Sequence, residues 1–180
     1  MAELSTPTGS RPFPLIDSDP HFSRVLRYMR LSDYAVWGGT TIVSPAFLYA
    51  LNRVSPAMIP VTPGAKEAIR LHFRMGGMLG FIAGFMLAYQ RSSFRFWGWT
   101  ENKREEERDF AELSKRAREG KPLWGESFQP EWVQAAAHQN SLNSQMKLNA
   151  IPMFNFVNHP YHGVDPAKYY PRSEKKDDSQ

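Results

Sequence analysis

Between Met75 and Tyr89 the chain is apolar, and Gly76, Gly80, Gly84 and Ala88 recur there at every fourth position. On a helix, positions i and i+4 share a face, so these four residues form one smooth stripe. Met78, Leu79, Ile82, Phe85 and Met86 cover the rest of the surface. In water each helical glycine costs about 1 kcal/mol relative to alanine. In lipid the same small residues let a second backbone approach closely, which favours helix association. The stripe therefore reads as the packing face of a transmembrane helix.

A second segment, Tyr34 to Leu51, is uncharged between Asp33 and Arg53. Its length matches roughly 27 Å of helix, close to the hydrocarbon thickness. Gly38, Gly39, Thr40, Thr41 and Ser44 make it polar for a span, and Pro45 is expected to kink it. Pro56, Pro60, Pro63 and Gly64 mark residues 52–64 as a connector. Thr62 and Pro63 suit the N-cap and first position of the next helix. The expected fold is thus all-α. A transmembrane hairpin occupies residues 33–99, with spans at about 34–52 and 71–90.

Charge orients the hairpin. Arg11, Arg24, Arg27, Arg30, Arg91, Arg95, Lys103, Arg104 and Arg108 flank its open end, against Arg53, Lys66, Arg70 and Arg74 at the connector. The positive-inside rule places both termini on the cytoplasm-equivalent side, which in mitochondria is the matrix. Phe94, Arg95, Phe96, Trp97 and Trp99 follow the second span, as aromatic and basic residues do at headgroup level. Arg91 and Arg95 beside Trp97 and Trp99 are the candidate phospholipid headgroup ligands, with cardiolipin the ligand if the membrane is mitochondrial.

The flanks are expected to be open. Residues 1–32 hold Pro7, Pro12, Pro14 and Pro20, which suit an extended or disordered arm. His21 to Ser32 follows as a short basic helix suited to a membrane surface, or as the first turns of the next helix. In residues 100–180 a charged helix runs from Glu101 to Glu119, capped by Thr100 and stopped by Gly120 and Pro122. Phe110, Leu113 and Ala117 give it one thin apolar seam. Pro130-Glu131-Trp132 opens another helix. Prolines at 152, 160, 166 and 171 then impose an extended tail, whose aromatic residues are expected to lie along another protein. Ser173 to Gln180 reads as a frayed end.

Several chemistries are excluded. The chain has no cysteine, so disulfides, iron–sulfur clusters and thiol catalysis are absent. Its net charge of +4 is mixed among acids, with no basic patch or motif for nucleic acid. Met1 to Pro7 has no basic and apolar signal pattern, so an organelle address is expected to be internal. The glycines have the wrong spacing for a phosphate loop, and no nucleophile triad can be assembled. His159 and His162, with Asp165 nearby, form an incomplete metal set. No catalytic, cofactor or metal site is therefore expected.

The order of segments carries a resemblance. Tyr-Ala-Val-Trp-Gly-Gly (34–39) opens the first span, Pro-Gly-Ala-Lys-Glu (63–67) the connector's end, and the glycine stripe marks the second span. A charged helix and Trp-Gly-Glu-Ser (124–127) follow. Over about residues 20–172 the chain resembles the fungal accessory subunit, of about 21 kDa, of mitochondrial complex I, NADH:ubiquinone oxidoreductase. The resemblance implies a non-catalytic, two-span subunit of the inner-membrane arm. Such a subunit binds no flavin, cluster or quinone, clamps core and other accessory subunits, and aids assembly. The competing reading is a component of a protein-translocation or transport complex, which would use polar groups in mid-span.

Overall fold

A computed structural model describes residues 11–54, 65–142 and 154–170, and the described residues contain helices and no strands. The chain divides into two compact units, Val25–Ser92 and a second formed by Met1–Arg24 with Ser93–Gln180. Residues 55–64 of the expected connector, with its Thr62–Pro63 helix start, and the end from Ser173, lie outside the described residues.

In order, the helices are α1 (Phe22–Arg27), α2 (Leu31–Val54), α3 (Ala65–Phe96), α4 (Lys103–Arg118) and α5 (Glu131–Ser141), with a 3-10 turn over Pro166–Tyr169. The expected basic helix over 21–32 is shorter than its pattern and stops at Arg27. Helix α2 then starts afresh, because the Asp33 carboxylate accepts the Arg30 backbone N–H at 2.8 Å. That is the reciprocal half of a capping box.

Within the Val25–Ser92 unit, α2 carries Pro45 inside its length without ending there. The expected polar residues are satisfied locally: Thr40 Oγ1 donates to the Val36 carbonyl at 2.8 Å and Thr41 Oγ1 to the Trp37 carbonyl at 2.9 Å. Such back-bonding makes hydroxyls compatible with an apolar surrounding. Ile69–Phe96 of α3 is the one described helical stretch long and apolar enough to cross a membrane.

The other unit is better packed than an open arm and tail would be. Leu113, Leu123 and Tyr169 form its apolar core, with Ala117 and Trp124 against them. The seam expected on α4 is therefore turned inward at Leu113 and Ala117, while Phe110 stays half exposed. Thr100 does not cap α4. Asn102 holds the N-cap position, and Glu101 Oε1 accepts the Lys103 N–H at 3.0 Å. Gly120 does stop the helix, at φ +65°.

From Arg11 to Pro20 the proline-rich arm lies as an extended strap. Phe13 N–H donates to the Gly98 carbonyl, Ile16 and Asp17 N–H to the Phe96 carbonyl, and Ser18 N–H to the His162 carbonyl. Gly98 has φ +73°, and a Cβ there would fall 2.4 Å from the Phe13 carbonyl oxygen, so only glycine fits the crossing. The C-terminal segment likewise folds back on its own chain. Tyr169, His159 and His162 are buried, which corrects the expectation that its aromatic residues need a partner, though Phe156, Tyr161 and Tyr170 remain exposed.

Candidate functional site

Two places in the molecule concentrate unusual contacts. The first is the stripe on α3. A Cβ built on Gly76 would lie 2.5 Å from Pro45 Cα. On Gly80 it would lie 2.6 Å from Ser44 Cβ and 2.8 Å from the Thr40 carbonyl oxygen, and on Gly84 2.7 Å from the Trp37 carbonyl oxygen. Ala88 is fully buried. Gly77, one residue off the stripe, would meet nothing within 4 Å. Trp37 Nε1 donates across the same seam to the Phe81 carbonyl at 3.0 Å. Away from the seam, Ile42, Val43, Phe47, Met78, Leu79 and Ile82 are exposed.

Beside this seam Arg91 Nε meets Asp33 Oδ1 at 3.2 Å, with the arginine half exposed and the aspartate fully buried. The other residues expected at the headgroups divide. Arg95 is buried and paired with Glu105 at 3.4 Å. Trp97 is buried, its Nε1 donating to the Ser18 carbonyl at 3.0 Å. Neither side chain reaches outward to a lipid. Trp99 remains partly exposed.

The second place is a buried hub on the strap. Asp17 Oδ2 accepts Arg24 Nη1 at 2.8 Å, and the other end of that guanidinium meets Asp109 Oδ1. Tyr169 Oη donates to the remaining Asp109 oxygen at 2.7 Å. Arg24, expected on a membrane-surface helix, is instead an internal tie. Asp19 Oδ2 gathers Ser141 Oγ at 2.7 Å, His159 Nε2 at 2.9 Å and His138 Nδ1 at 3.1 Å. Burial pushes the Asp19 carboxyl up, but the hydrogen bonds from His138, His159 and Ser141 together outweigh it and hold it below the usual carboxylate value. His162 meets Asp17 Oδ1 through Nδ1 at 2.8 Å and the His159 carbonyl through Nε2 at 2.6 Å, and its ring stacks on Trp124 at 4.3 Å.

Asp19, His138 and His159 present their donor atoms within 4.8 Å of one another, a spacing a divalent ion could use. His159 does not fit that role. The Tyr161 backbone N–H donates to its Nδ1 at 3.1 Å, so Nδ1 is an acceptor, while Nε2 faces Asp19 Oδ2 at 2.9 Å and Asn155 Nδ2 at 3.0 Å. A histidine ligating through Nε2 carries its proton on Nδ1, where the Tyr161 hydrogen already points. The cluster is a hydrogen-bonded hub that ties α5 and the C-terminal segment to the strap. Sequence reasoning noticed His159 and His162 and placed Arg24 on a surface helix, but did not single out Asp17, Asp19, Asp109 or His138. Nothing local marks them, since Asp19 and His159 are separated by 140 positions.

These features define a class: a helical polypeptide whose polar groups hold its own fold together, with one described stretch long and apolar enough to cross a membrane and a close helix seam. Two family models together match nearly all of the chain. "NADH-ubiquinone oxidoreductase complex I, 21 kDa subunit" matches residues 10–101, and the C-terminal model of the same 21 kDa subunit matches residues 110–180. The NADH-ubiquinone oxidoreductase 20.9 kDa subunit of Neurospora crassa is 39% identical over 182 residues, covering 98% of this chain and 94% of that protein. The chain belongs to the 21 kDa subunit family of complex I. It is a structural subunit of a respiratory enzyme complex, associated with other complex I subunits at the mitochondrial inner membrane, and is not catalytic itself.

Proposed function

We propose that this subunit stabilises the membrane arm of complex I and helps assemble it as a two-span clamp. Helices α2 and α3 cross the membrane as a hairpin closed along Gly76, Gly80, Gly84 and Ala88. Their remaining apolar faces meet lipid and the spans of core and other accessory subunits. Both termini lie on the matrix side. The exposed part of Arg91 meets phospholipid headgroups, cardiolipin among them.

The observation that carries this reading is the close approach of α3 to the backbone of α2 at Pro45, Thr40 and Trp37. Exposed apolar side chains on both helices support it, because such faces are costly in water and stable in lipid. The satisfied hydroxyls of Thr40 and Thr41 offer no polar path for a translocated substrate.

Topology can be tested directly because the chain lacks cysteine. Single cysteines placed at residues 23, 57 and 121 are labelled in mitoplasts with a membrane-impermeant maleimide. The two-span reading requires labelling at 57 and protection at both 23 and 121. Labelling of 23 together with 57, which leaves α3 as a lone span, or labelling of 121, overturns it.

A further inference from the structure

Helix α5 has two different sides. Its inner side holds His138 and Ser141 on the buried Asp19 carboxylate. Its outer side runs Trp132, Ala136, Gln139 and Asn140, all exposed and all uncharged. Phe128 stands just ahead of the helix at 95% exposure, and Trp132 at 74%. Two large aromatic side chains this exposed, on an element pinned from behind, are a costly arrangement in water and the usual make-up of an interface anchor.

Charge decides what they anchor to. No lysine or arginine occurs between Lys121 and Lys147, although the whole chain has 22 of them. Exposed Glu126 and Glu131 flank the two rings instead. An anchor to the anionic surface of a phospholipid membrane needs basic residues beside its aromatic ones, and acidic flanks repel that surface. A protein surface with an apolar slot and a basic rim is complementary to this pattern.

We infer that Phe128 and the outer face of α5 dock on a neighbouring protein subunit through an apolar slot rimmed by lysine or arginine, with the Asp19 hub holding the helix in place. The inference rests on the accessory-subunit reading above. Both rings are exposed, so replacing them leaves the fold of this unit intact.

The experiment places a photoreactive benzoylphenylalanine at position 128, and separately at 132, in the full chain within purified complex I. The expected result is a covalent adduct to one protein subunit from both positions. Glu126→Lys is expected to lower the adduct yield at 128 at least threefold, since it puts a cation against the basic rim. Adducts to phospholipid only, no adduct in a complex that retains the chain, or a yield raised by Glu126→Lys would each overturn the inference and leave the subunit reading standing. Absence of the unsubstituted chain from the purified complex would overturn both.

Discussion

Gly76 and Pro45 touch backbone to backbone: a Cβ on Gly76 would lie 2.5 Å from Pro45 Cα. Proline offers no N–H and a flat ring, and glycine offers no side chain, so α2 and α3 meet there without anything between them. The contact gives the stripe a physical meaning that a list of small residues lacks.

Bulk on the stripe should therefore prevent the seam from closing. Gly80→Leu places side-chain atoms into Ser44 and the Thr40 carbonyl, which a Cβ alone already approaches to 2.6 and 2.8 Å. Overpacking of this kind costs about 1–3 kcal/mol or more. Blue-native gels should show at least a several-fold drop in assembled subunit. Gly77→Ala, whose Cβ meets nothing within 4 Å, should assemble normally. Equal behaviour of the two variants would remove the seam from the account.

Arg24→Met should be among the most damaging single changes in the strap unit. It leaves the buried Asp17 and Asp109 carboxylates without the cation that both contact. Breaking a buried pair from one side costs roughly 3–5 kcal/mol. Arg24→Lys should rescue poorly, because a single ammonium cannot span two carboxylates as a guanidinium does. Limited proteolysis of the subunit in the purified complex would rank the variants, and near-wild-type resistance of Arg24→Met would contradict the tie.

Asp19 gives a pH dependence with a definite sign. Its folded-state value lies below the ordinary 3.8, so folding favours the carboxylate. The stability it contributes is whole above 3.8 and is lost as pH falls through the lower, folded-state value. Hydrogen exchange of the α5 amides should accelerate below that range in the wild type. Asp19→Asn should show faster exchange already at neutral pH, by about 1–3 kcal/mol of lost protection, and little further acid response from this site. A variant that keeps the wild-type acid response would assign it to another group.

Gly98→Ala tests the strap. The substitution combines an unfavourable positive φ with a contact of 2.4 Å to the Phe13 carbonyl. The expected outcome is loss of the Phe13 to Gly98 hydrogen bond and a new protease cut near Arg11. Gly120 also has positive φ but open space around its Cβ, so Gly120→Ala should cost only the conformational penalty, about 1 kcal/mol.

Helices were legible where their signals are local. The periodic stripe, the proline before α5 and the glycine after α4 mark elements within a few residues of where they occur. The family was legible too, since the order of segments is itself a sequence property. Legibility failed where a residue's partner is remote. Arg95 and Trp97 follow a membrane-exit pattern in composition, yet Glu105 and the Ser18 carbonyl take them inward.

Local periodicity is enough to make α3 helical, apolar and smooth along one face, because it acts over three or four residues. The absence of cysteine removes thiol chemistry in the same direct way. That a proline-rich arm becomes a strap, with Asp17, Asp19 and Arg24 as its fastenings, emerges when the chain folds. Hydrogen bonds that close over 85 to 145 residues depend on where distant segments meet, and a single sequence has no local pattern that records such a meeting.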